Sequence, residues 1–300
     1  MAVVSVMGSG DPAQPPRFAL FELGFRAFYL AGAGWAVADI ALWMARMTGL
    51  TDAVLIDAGW HAHEMLFGFI AAIVAGFALT AVRNWTGLAT PTGVPLALLL
   101  ALWGAGRVAQ LLPESVPGAV LDLAFLPAIA VAVARPIWRA GQRRNLFLPA
   151  LLLLLAVLNL GYHASRLGLC AAPLRDSLVP ALYVLVLLES IVAGRVIPGF
   201  TGNVIGRKLP RGDALDVATI ATTAVALALA ASRDRGWPPA ATAALAAALH
   251  AVRLARWQPW AARRQAILWI LHLSYAWIPV GLLLLALAAE MLYNGWTKRI

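Results

Sequence analysis

An all-α, polytopic transmembrane helical bundle is the fold class this sequence predicts, and three observations predict it. Hydrophobic residues fill 62% of the 300 positions and charged ones only 12%, with a mean hydropathy of +0.80. That is more apolar surface than a soluble domain can hide. The apolar residues gather into long runs separated by short stretches carrying Pro, Gly or Arg, as membrane spans do. The runs lack strand alternation, and lipid admits only helices or closed barrels.

Met1 to Pro16 is polar and rich in Gly and Pro. It reads as a disordered tail and lacks the basic start and apolar core of a secretory signal. Residues 17–300 read as a single transmembrane helical domain. Its nine expected spans lie near 24–45, 64–82, 94–112, 119–137, 145–168, 177–198, 214–231, 238–256 and 265–289. The first carries Asp39 and the third Arg107. In the fifth, Asn159 and His163 are four residues apart and share a helical face, so an amide there can bond an imidazole or a ligand. The sixth holds Glu189 and Arg195, about 120° apart and so expected to have separate partners, and is expected to end at Pro198. The eighth ends in His250, Arg253 and Arg256, which read as interfacial. The ninth carries His272, Tyr275 three residues later, and Pro279, which frees the Tyr275 carbonyl.

The net charge of +9 sits in short clusters between apolar runs, where Lys and Arg determine topology, and so points away from a nucleic-acid partner. Placing the tail and every second loop together gathers most of the basic residues on one side. The expected orientation is therefore N-terminus in the cytoplasm and C-terminus outside. This sorts the intramembrane polar residues into an outer layer (Asp39, His61, His63, Glu64, Arg107, His163) and an inner one (Glu189, Arg195, His250, His272). Ionisable groups in a bilayer are expensive and mark cavities, cofactors or one another. Cys170, the one cysteine, reads as a small buried residue and excludes both a disulfide framework and thiol attachment of haem.

Chemistry concentrates in Trp60-His61-Ala62-His63-Glu64. From Met65 to Val82 no charge or proline follows, enough to span a hydrocarbon core at about 1.5 Å per residue. Two imidazoles and a carboxylate thus stand at the mouth of a span, where neutral histidine can ligate iron or copper and Glu64 can orient it. Two residues advance a helix by about 200°, so His61 and His63 cannot share a face. Either His61 precedes the helix and folds back, or the two serve different partners. Below them Gly68, Ala72, Gly76 and Thr80 form a small-residue stripe suited to close helix packing. The expected ligands are His61, His63, His163 and His272, supported by Glu64, Asn159, Arg107 and Tyr275.

His61-Ala62-His63-Glu64-Met65-Leu66-Phe67-Gly68, Leu79-Thr80-Ala81-Val82 and Asn84-Trp85-Thr86-Gly87 resemble the signature of the NnrS family of membrane proteins. The similarity resumes at Phe25-Arg26-Ala27-Phe28, Tyr162-His163, Arg195-Val196-Ile197-Pro198, and Leu271-His272-Leu273 with Tyr275-Ala276-Trp277-Ile278-Pro279. It covers residues 17 to 287. The resemblance implies a bacterial inner-membrane protein that binds haem and copper, linked to nitric oxide, denitrification and nitrosative-stress resistance. A haem here would be b-type, held non-covalently by histidine. Family members with about twelve spans carry further His motifs in their last third, so this chain reads as short at its C-terminus. The other readings are an ion, proton or metal transporter, though no inverted repeat is visible, and a structural partner of a respiratory or denitrification complex.

Overall fold

The computed structural model describes residues 19–232 and 237–297, with side chains to Met291; the expected tail, 1–16, lies outside them. The described residues are helical, without a strand. In order they form α1 (Gly24–Met47), α2 (Ala58–His63) continued by a π-helical segment (Glu64–Ile70) into α3 (Ala71–Thr86), α4 (Val94–Ala109), α5 (Val116–Arg139), α6 (Phe147–Arg166), α7 (Arg175–Ile205), α8 (Ala214–Ala231), α9 (Trp237–Arg256) and α10 (Ala266–Thr297). Each expected span has its helix, and 7 helices, counting Ala58–Thr86 as one, are long and apolar enough to cross a membrane. The protein is a multi-pass membrane protein. The two that fall short of nine are α4, with 16 residues, and the alanine-rich, basic-ended α9. The helical domain is built as two compact units, divided between Ala171 and Ala172.

In the first unit, α1 and the 58–86 helix form the frame. Asp57 caps the latter, its side chain accepting from Trp60 N at 2.7 Å, so the helix begins before His61. The stripe packs on α1 as its spacing predicts. A methyl placed on Gly76 would lie 3.0 Å from Phe28 Cβ, and one on Gly32 3.1 Å from Ala72 Cβ. Thr80 Oγ1 donates to the Gly76 carbonyl and accepts from Phe25 N at 3.2 Å. Phe28, Gly32, Trp35, Asp39 and Trp43 follow one another at helical spacing on this side of α1.

The second unit packs α8, α9 and α10 around Ala243, Ala246, Tyr275 and Ile278, with Ala193 and Ile197 of α7. Pro198 does not end α7, as the sequence suggests, because membrane helices tolerate the single lost backbone bond. The helix stops only at Gly206, whose φ of 71° suits glycine. Asp213 caps α8, and the Asp216 amide it binds holds its carboxyl below the usual carboxylate range. Cys170 is exposed, because it falls in the loop after α6 and not on a helix face.

Candidate metal centre

After α2 the second span widens into a π-helix at Glu64–Ile70, a form frequently found at functional sites. Within this segment the Gly68 carbonyl accepts from Trp103 Nε1 at 3.0 Å. Gly68 also makes room for chemistry, since a methyl there would lie 2.9 Å from both Arg107 Nη1 and Trp35 Nε1. The foot of the stripe is therefore part of the site as well as a packing surface.

His63 and Glu64 are wholly buried. Glu64 receives Arg107 Nη1 at 2.6 Å and Trp35 Nε1 at 2.8 Å. The other end of the guanidinium pairs with Asp122 of α5, which approaches because α4 presents Gly106 to it. Asp122 Oδ2 in turn accepts from Asn159 Nδ2 at 2.7 Å and meets His163 Nε2 at 2.9 Å. His63 Nε2 lies 2.9 Å from Asn159 Oδ1 and 3.3 Å from Asp122 Oδ2. Each histidine's remaining nitrogen is held by its own carboxylate, His63 Nδ1 by Glu64 and His163 Nδ1 by Glu114, both at 2.8 Å. Tyr162 stacks on His63 at 4.1 Å, and Phe67 lies 5.1 Å from the same ring.

The structure thus brings together five of the residues expected from sequence: His63, Glu64, Arg107, Asn159 and His163. His61 stands apart. Its Nδ1 meets Asp39 at 2.7 Å and its ring stacks on Trp43 at 4.1 Å, so the two histidines serve different partners, as their 200° separation demands. Asp122 and Glu114 were not anticipated. Asp122 was findable as a lone carboxylate within an apolar run, whereas Glu114 lies in a loop and nothing in its neighbourhood marks it.

A side-chain nitrogen of His63, one of His163 and an oxygen of Asp122 lie within 4.8 Å of one another, and all three residues are buried. Two imidazoles and a carboxylate form a donor set for a transition ion such as copper or iron. The carboxylate behind each imidazole is the outer support such ligands require. Charge agrees with this. Glu64, Asp122 and Glu114 oppose one guanidinium, so the cluster accommodates two further positive charges, supplied by a dication held by the two imidazoles or by protons on their four carboxylate- and amide-facing nitrogens. The same trio does not suit haem, because Asn159 and Asp122 stand within 3.3 Å of His63 Nε2 and Asp122 within 2.9 Å of His163 Nε2, which leaves no room for a macrocycle.

The second unit holds its own buried polar cluster. Thr223 Oγ1 donates to the Thr219 carbonyl at 2.7 Å, so it accepts from His250 Nε2–H at 2.9 Å. That tautomer leaves His250 Nδ1 to accept from the Tyr275 hydroxyl at 2.5 Å. The Tyr275 oxygen accepts from Arg253 Nη1 at 3.1 Å, and Arg253 Nε donates to Asp216 at 2.6 Å. His250 and Arg253 are therefore interior residues, contrary to the interfacial reading. Their polarity is matched by Asp216, Thr223 and Tyr275, which lie on other helices and are invisible to local spacing. Tyr275 serves His250, not His272. His272 is buried, with Nε2 on Thr201 Oγ1 at 2.9 Å and Nδ1 lacking a hydrogen-bond partner among the described residues.

The profile of the NnrS protein family matches residues 19–298. The chain belongs to the NnrS family. The match extends past residue 287, where the motif resemblance ends. No curated protein and no solved structure matches the chain. The motif His61–Gly68 is now legible as chemistry, since it supplies one imidazole, one carboxylate and the glycine that admits Arg107.

Proposed function

We propose that this NnrS protein holds a copper-type ion through His63, Asp122 and His163, and acts in nitric oxide metabolism or nitrosative-stress resistance in the bacterial inner membrane, with its N-terminus in the cytoplasm. The observation that carries the metal reading is the convergence of three buried donor atoms from three helices, each imidazole backed by its own carboxylate. A bound copper or iron supplies Lewis acidity and one-electron chemistry to a small ligand. The protein's part is positional. Glu64 and Glu114 fix the two imidazoles through their Nδ1–H groups, Arg107 anchors Asp122, and Tyr162 and Phe67 keep water from the His63 ring. Nitric oxide, small and uncharged, can reach such a site through lipid. A haem b would be held non-covalently, and the imidazoles with a nitrogen to offer it are His61, through Nε2, and His272, through Nδ1.

Metal analysis of purified protein tests this. The wild type is expected to retain stoichiometric metal, and His63→Ala, Asp122→Ala and His163→Ala to lose it while still inserting in the membrane. His61→Ala and His250→Ala should keep it. Glu114→Gln, which touches only the back of His163, should weaken affinity about 10–100-fold. Full metal content in all three ligand variants would place the centre elsewhere.

A further inference from the structure

The acidic residues of the buried clusters have partners, but Glu189 has none among the described residues. It lies near the middle of α7, Arg175–Ile205, about 20 Å from either end at about 1.5 Å per residue. Its side chain is exposed and makes no hydrogen bond or ion pair among the described residues. Leu182, seven residues before it, and Phe200, eleven after, share its side of the helix because both intervals return close to whole turns. They are 44% and 46% exposed. The next residue, Ser190, is fully buried and gives its carbonyl to Arg253. The helix therefore turns Ser190 inward and leaves Glu189 on an apolar outer stripe.

We infer that Glu189 is a proton-binding site facing the hydrocarbon: a carboxyl kept neutral at mid-membrane depth and open to apolar reagents dissolved in lipid. An ionised carboxylate standing in hydrocarbon loses its hydration, and taking up a proton removes that cost. The charged and titratable groups around it do not offset this. On α9 and α10, Arg253, His250 and Tyr275 are bound to one another and to Asp216. On α7 itself, Tyr183 and Arg195 are each six residues away, on other faces. Glu290 makes the contrast, being exposed too but lying just past the apolar run that the sequence places at 265–289.

Dicyclohexylcarbodiimide, a hydrophobic carbodiimide, tests the site in native membranes. A neutral carboxyl passes its proton to a carbodiimide nitrogen while its oxygen bonds to the central carbon. Acyl transfer to nitrogen then leaves an N-acylurea that adds the mass of one whole reagent to the peptide. The expected result is labelling of the α7 peptide in wild type at neutral pH, its loss in Glu189→Gln, and its retention in Glu290→Gln. A water-soluble carbodiimide should leave Glu189 unmodified. Failure of the wild type to label, or equal labelling of that peptide in Glu189→Gln, overturns the proposal. So does modification by the water-soluble reagent, which would show Glu189 to face water. Metal content should be unchanged in Glu189→Gln, so this result stands or falls apart from the metal centre.

Discussion

Arg107→Leu should abolish accumulation of folded protein, or lower its unfolding temperature in detergent by far more than any single ligand substitution. The guanidinium is the cation shared by Glu64 and Asp122, and the side chains of all three are 3% exposed or less. Removing it leaves two carboxylates facing each other in the interior, and breaking a buried pair this way costs about 3–5 kcal/mol. Lost packing alone would cost less, and a rescue separates the two causes. With Glu64→Gln and Asp122→Asn added, neither carboxylate is left stranded by the loss of the guanidinium, and the triple variant should recover most of the lost stability while still failing to hold metal. If the triple variant is as unstable as Arg107→Leu, packing and not charge is responsible. If Arg107→Leu itself melts like the wild type, the network is not ionised as described.

How much of this was legible in the sequence depends on the range of the interaction. The helices were, because a run such as Met65–Val82 is fixed by its own composition and by the length a bilayer demands. The first-unit site was largely legible for the same reason: His63, Glu64, Arg107, Asn159 and His163 are polar residues set in apolar runs, and that contrast is local. Their connections were not. Asp122 joins Arg107, Asn159 and both histidines, yet only tertiary packing, with Gly106 admitting it, puts it there. His250 and Arg253 were misread for the converse reason. A basic cluster at the end of a run resembles an interface anchor, and its burial depends on Asp216 and Tyr275 lying opposite. The π-helical turn at Glu64–Ile70 leaves no mark in hydropathy, because it changes backbone winding and not residue type.

The second unit offers the sharper test of such non-local dependence, at a residue with no chemistry of its own. Gly194→Ala should destabilise this unit by about 1–3 kcal/mol, the usual cost of overpacking, although alanine is the better helix former. A methyl at Gly194 would fall on the Arg253 guanidinium. A flexible arginine would normally swing aside, but this one is pinned by Asp216 Oδ1 at 2.6 Å and by the Ser190 carbonyl at 2.9 Å, with its charge 5.0 Å from the Trp257 ring centre. Gly281→Ala, in α10 and with nothing within 4 Å of the added methyl, is the control and should be neutral or stabilising by up to about 1 kcal/mol. Arg253→Met strands Asp216 and should cost about 3–5 kcal/mol. Because it also vacates the space the methyl needs, Gly194→Ala in the Arg253→Met background should cost much less than it does alone, and the two effects should not add. Thermal unfolding of the four proteins decides it: strict additivity would mean that Gly194 and Arg253 do not meet as described.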